Sequence, residues 1–186
     1  NEMKSNTGEG RQALQQARLL GVAGKVDEAI AAYEKLFGGV PDDVDAAIEY
    51  WTLVARLPSR HSEGVSQLKK LNASAPGNVS LLTALAKQMF ADNKPQEGFA
   101  YLAEMARSAS GRGIAADMWY SEVKSMPVSK ASVQALQQFL LQFPTGSVAA
   151  NARVLLDQQQ AQLQDPTFRA RSEGLAAVKS GNTSQA

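Results

Sequence analysis

Chemistry in this chain would have to start from His61, the one histidine, which stands two residues before Glu63. A lone imidazole can act as a general base, but only with a nucleophile and an orienting group within hydrogen-bond reach, and no neighbouring residue supplies either. Asp42, Asp43 and Asp45 form an acidic cluster that lacks the spacing and terminal Glu of a calcium loop. Capping of a following helix accounts for it. Trp51 and Trp119, each beside a tyrosine (Tyr50 and Tyr120), could stack on sugar rings. The two tryptophans instead fall on helical positions that face neighbouring helices and are expected in the core, whereas Tyr50 and Tyr120 are expected to point elsewhere and be freer. The glycine-bearing stretches GEG and SGRG lack the Gly, Lys and Ser/Thr order of a phosphate loop and follow no strand. With no cysteine there is no thiolate nucleophile, disulfide or thiolate metal site. No catalytic residue, metal site or cofactor is expected.

The elements that carry these residues repeat. The stretch from Gln12 to Pro41 reads as two short amphipathic helices joined by a turn at Gly24, with Ala29 a small residue early in the second helix and Tyr33 one turn later on the same face. Pro41 is expected to stop that helix. Pro41, Pro76, Ser110 and Pro144 then recur at steps of 35, 34 and 34 residues. The small residues Ala29, Gly64, Gly98 and Ser132 keep step, as do the large ones Tyr33, Leu68, Leu102 and Leu136. In the first helices Ile48, Trp51 and Ala55 match Leu82, Leu85 and Met89, and then Ala116, Trp119 and Val123. A two-helix unit of about 34 residues is the signature of the tetratricopeptide repeat (TPR). The expected fold is all-α, a TPR right-handed superhelix of antiparallel helix pairs.

Four units are expected, at 11–43, 44–77, 78–111 and 112–146, after a loop and the end of a preceding helix at 1–10. Caps are read at Asp42 to Asp45 and at Asn78 or Ser80, Pro58 stops a helix, and Pro95 opens one at its first position. Ser110, Gly111 and Gly113 are expected to end the second helix of the third unit. Residues 147–165 read as an extra, unpaired helix and 166–186 as the first helix of a further truncated unit, with Gly181 and Ala186 spaced like Gly24 and Ala29. A helix without a partner would alter the stacking direction, which makes Pro144, Gly146, Asp165 and Pro166 hinge candidates. A chain that starts at Asn1 and stops at Ala186 within a repeat is expected to be a piece of a longer one.

With 44% hydrophobic and 20% charged residues the chain can bury a continuous core. A formal charge of +1 provides no field for nucleic acid or an anionic membrane, so nucleic acid is excluded as a partner. No apolar run approaches the roughly 20 residues of a membrane-spanning helix. The surface available for binding is the concave face lined by first-helix residues off the core stripe. The repeat frame assigns to it Arg11, Leu14 and Arg18, then Glu49, Leu53 and Arg56, then Thr83, Lys87 and Phe90, then Asp117, Ser121 and Lys124. This set is mixed in sign and departs from the Lys and Asn arrangement with which some repeats clamp a peptide carboxylate.

The stretches RQALQQARLL, AIAAYEKLF, EYWTLVARLP, APGNVSLLTALA, GFAYLAEMARSASGR, AADMWYSEVKSMPVS and DPTFRARSEGLAAV resemble the N-terminal periplasmic repeat region of the bacterial cellulose synthase operon protein C family, over nearly the whole chain from Arg11 to Ala186. The resemblance implies a periplasmic scaffold within an outer-membrane protein, linking an inner-membrane synthase to an outer-membrane export pore. Its implied partners are other subunits of the cellulose synthase complex, peptidoglycan or cellulose, and the family's own C-terminal β-barrel. No catalytic residues come with it. Two other functions fit the residues: a glycan-binding guide using Tyr50, Phe90 and Tyr120, and a generic peptide-binding adaptor. Cut repeat ends would also expose apolar faces through which fragments could dimerise.

Overall fold

A computed structural model describes residues 7–179, which fall in two compact units divided between Ser108 and Ala109. The described residues form ten helices in sequential antiparallel pairs, the all-α arrangement expected. In the first unit these are α1 (Gly8–Val22), α2 (Val26–Phe37), α3 (Val44–Arg56), α4 (His61–Ser74), α5 (Val79–Ala91) and α6 (Pro95–Met105), with a single 3-10 turn, Pro58–Arg60, before α4. The second unit holds α7 (Ala109–Ser125), α8 (Lys130–Gln142), α9 (Ser147–Gln164) and α10 (Pro166–Lys179). The expected correspondence of Gly181 and Ala186 with Gly24 and Ala29 lies outside the described residues.

Capping residues set the starts. The Asp43 carboxylate accepts the Ala46 amide at 3.0 Å and the Asn78 side chain accepts the Leu81 amide at 3.0 Å, each satisfying an otherwise unpaired first-turn donor. Thr7 does the same for Gly10, so α1 opens at Gly8, within the stretch expected to be a loop and the end of a preceding helix. The turns repeat in backbone detail. Gly24 at φ +81° and Asn93 at φ +58° occupy the same place in the first and third repeats. The following amides close the same bond in each, Lys25 to the Leu20 carbonyl at 2.9 Å and Lys94 to the Met89 carbonyl at 2.8 Å. Pro41 is not what stops α2. The helix ends at Phe37, where Gly38 turns left-handed at φ +73°.

Small residues bring the paired helices together. A Cβ on Gly64 would lie 2.5 Å from the Ala55 amide nitrogen and 2.7 Å from the Trp51 carbonyl oxygen, so α3 and α4 meet backbone to backbone. On Gly98 it would lie 2.7 Å from the Phe90 ring, which fills that space in the α5–α6 pair. Around these contacts the core gathers Ala29, Tyr33, Phe37, Trp51, Val54, Leu68, Leu81 and Leu85, all buried. The α2–α3 junction adds two reciprocal hydrogen bonds: the Tyr33 hydroxyl donates to Glu49 at 2.6 Å and the Tyr50 hydroxyl to Glu34 at 2.7 Å.

In the second unit Trp119 is buried as expected, edge-on to Phe139 and Phe143, with its indole N–H donating to the Ala135 carbonyl at 3.0 Å. Two expectations fail here. Ser110, Gly111 and Gly113 do not end a helix. They lie inside α7, and α6 has already stopped at Met105. Interior glycine costs a helix roughly 1 kcal/mol, but the buried row Gly111, Ala115, Trp119 and Val123 gives α7 a packed face that outweighs it. The helix expected to be unpaired, α9, has a partner: it packs on α8 and pairs with α10, separated from it by Asp165 alone. Its seat on α8 is polar. The Ser132 hydroxyl, wholly buried, donates to the Gln159 side chain at 2.7 Å, so the repeat's fourth small residue also ties the next helix down.

Candidate functional site

Several of the residues expected on the concave face gather at an open groove of about 450 Å³ between α1 and α3, floored by Ala17, Ile48 and Leu53 and edged by Arg18, Glu49, Thr52 and Arg56. Four of the twelve expected residues, Arg18, Glu49, Leu53 and Arg56, meet here because each lies on the side of its first helix that faces the other. Gly21 allows the approach, since a Cβ there would come 3.1 Å from a Leu53 methyl.

The polar edge is wired in two places. Arg18 places Nε 3.0 Å and Nη2 3.0 Å from Glu49 Oε1, and Glu49 Oε2 also accepts the Tyr33 hydroxyl. Arg56 donates from Nη1 to the Gly21 carbonyl at 2.8 Å, a cation set on the negative end of α1. Burial, and after it the adjacent Glu49 carboxylate, hold the Tyr33 hydroxyl well above its ordinary range. The hydrogen bond to Glu49 raises Arg18 further against the opposing effect of burial. Arg18 therefore stays charged and Tyr33 neutral throughout the neutral range. The acid is saturated while both guanidinium groups keep outward N–H donors. Such an edge over an apolar floor can hold acceptors on a partner chain but offers no free base or nucleophile.

Tyr33 is the member that sequence reasoning placed only as a filler of space. Its signal was the hydroxyl at a position where the other repeats carry Leu68, Leu102 and Leu136, since a buried tyrosine needs a partner for its polar tip. The remaining expected residues are dispersed. Arg11 is exposed on α1 and Leu14 packs on the core. Thr83 donates to the Val79 carbonyl within its own helix, and Lys87 is exposed. In the second unit Asp117 lines a separate hollow of about 290 Å³ with Arg112 and Phe143, Ser121 is exposed, and Lys124 lies over the Tyr120 ring at 5.4 Å.

Of the aromatic residues named for the glycan-binding alternative, Tyr50 is not the freer side chain expected, and the others are partly taken up in packing. Tyr50 is 1% exposed and hydrogen-bonded to Glu34, so it belongs to the core. Phe90 is taken up by Gly98 and, edge-on at 5.0 Å, by Phe99. Tyr120 is half-buried against Phe139. At the hinge candidates, Gly146 precedes α9 at φ +103°, the Pro144 carbonyl accepts from Arg153, and Asp165 accepts the Thr167 amide just after Pro166 opens α10. His61 does not pair with Glu63, which is held by Arg60 at 2.8 Å. Among the described residues no three His, Asp or Glu side chains converge as a metal ion would require, and no helix is long and apolar enough to cross a membrane.

No family model matches the chain. It is 50% identical over 184 residues to cellulose synthase operon protein C of Salmonella typhimurium and equally so to that of Escherichia coli K12, in each case over 99% of this chain and 16% of the relative. The protein of the same name from Xanthomonas axonopodis pv. citri is 29% identical over 180 residues, covering 93% of this chain. The chain thus spans about 16% of the length of the first two relatives. A crystal structure of the flexible tandem repeat domain from this component of bacterial cellulose synthase superposes with a TM-score of 0.70 at 50% identity, covering 88% of this chain and 67% of that one. By sequence and by fold, the chain belongs to the cellulose synthase operon protein C family, within its helical tandem-repeat domain.

Proposed function

We propose that this chain is a non-catalytic scaffold and protein-interaction module of a bacterial cellulose synthesis and secretion complex, acting in the periplasm as part of an outer-membrane protein and linking an inner-membrane synthase to the export pore. The observation that carries the reading is the match of 99% of the chain, at 50% identity, to cellulose synthase operon protein C, by a domain made of packed helix pairs. The groove between α1 and α3 is its contact surface in this reading. A neutral glucan would need exposed ring faces, and the aromatic candidates Tyr50 and Phe90 are engaged in packing. An apolar floor with outward guanidinium donors suits a segment of a partner protein.

The reading is tested in the full-length protein by deleting 8–146, so that α9 follows Thr7 as α1 does and the flanking repeats join in phase. Loss of cellulose secretion together with loss of copurifying synthase subunits is the expected result. Normal secretion with an intact complex would overturn it.

A further inference from the structure

His61 stands where three helices of the first unit meet. It is the first residue of α4, its Nδ1 lies 2.6 Å from the carbonyl oxygen of Ala55 in the last turn of α3, and its Nε2 lies 2.8 Å from the carboxylate of Asp92, which caps the C-terminus of α5. Both of those groups are acceptors only. A neutral imidazole carries one N–H and one lone pair, so it can serve one of them and must turn a lone pair toward the other. The imidazolium, a donor at both nitrogens, serves both at once.

We propose that His61 is a proton-operated pin between the second and third repeats, closed when the ring is protonated and released on the Asp92 side when it is not. The charged groups around it favour the closed form. The ring faces the negative ends of two helices, through the Ala55 carbonyl of α3 and through Asp92 at the end of α5, against the positive end of its own helix. Lys94, in the turn that follows Asp92, is the one cation acting against it. Arg60 and Glu63, its neighbours in sequence, are engaged with each other.

The acceptor at Ala55, followed by Asp92, raises the His61 pKa above the ordinary histidine value. The sign follows from linkage: a raised folded-state pKa contributes stability that is fully present below the unfolded value of about 6.5 and is lost as pH rises through the folded one. The bond released is the one to Asp92. Its carboxylate can turn to water, whereas the α3–α4 pair is held by the backbone contact at Gly64 whatever the ring's charge. Deprotonation therefore frees the end of α5 and the turn at Asp92, Asn93 and Lys94 while leaving the second repeat intact.

Because the chain has a single histidine, its ring can be titrated without ambiguity. In the repeat chain as given, NMR of the imidazole should show a midpoint above 6.5, shifted down in Asp92→Asn and up in Lys94→Gln. Over the same range the melting temperature of the native chain should fall relative to His61→Gln, and amide protection at residues 92–94 should drop in the native chain but not in the variant. A midpoint at or below 6.5, or one unmoved by Asp92→Asn, overturns the proposal. So does equal pH dependence of melting in the native chain and His61→Gln.

Discussion

At Gly64 there is no room for a methyl group, since the atoms a Cβ would meet belong to the backbone of α3 and cannot rotate away. Gly64→Ala should therefore lower stability by about 1 to 3 kcal/mol, despite the better helix propensity of alanine. Gly98→Ala should cost less, because the Phe90 ring can yield. Urea unfolding of the two variants compares them, and equal costs would show that the close approach at Gly64 relaxes freely. Tyr33→Phe tests the groove's internal wiring. Glu49 is partly exposed and keeps Arg18, so the site left by the hydroxyl is open to solvent and the loss should be about 1 kcal/mol. Both positions were visible in the sequence, Gly64 as a small residue kept in step and Tyr33 as a polar departure from a leucine position. Tyr50 departs from its expected place at this scale. Its position beside Trp51 suggested a free face, but its hydroxyl meets Glu34 across the α2–α3 junction, a contact that local spacing does not reveal.

At the scale of the element, starts were more legible than ends. Capping chemistry is local, so Asp43, Asn78 and Pro95 act where the sequence places them. Ends depend on what a helix packs against. The stop of α2 at Gly38 precedes the expected Pro41, and α7 runs through Ser110, Gly111 and Gly113 because its buried row supports it. The junction of α8 and α9 was hidden for the same reason, since the repeat pattern shows Ser132 as merely small. Its single hydroxyl proton is shared between the Gln159 side-chain oxygen and the Ser129 carbonyl, and its oxygen accepts the Ser129 amide in the capping box. Ser132→Ala leaves the buried Gln159 oxygen without that donor and should cost about 1 to 3 kcal/mol. Gln159→Leu combined with Ser132→Ala should recover part of that loss. If the double variant is as destabilised as the sum of the single ones, the two side chains are not coupled.

At the scale of the molecule, the period of about 34 residues and the single-sided apolar stripes made the helix pairs legible from sequence, because every repeat solves the same packing problem. The site was legible only in part. Four of the twelve projected residues share the α1–α3 groove, and the others are packed, capped or spread over the surface. Whether this groove holds a protein partner in a scaffold is decided by pull-down from envelope extracts with the native chain and with Arg18→Gln combined with Arg56→Gln. These changes remove the outward guanidinium donors without bringing a repelling charge against Glu49 or the Gly21 carbonyl. With folding confirmed by an unchanged helical spectrum, a specific partner captured by the native chain should be lost from the double variant. Retention of the same partners at the same level would contradict it.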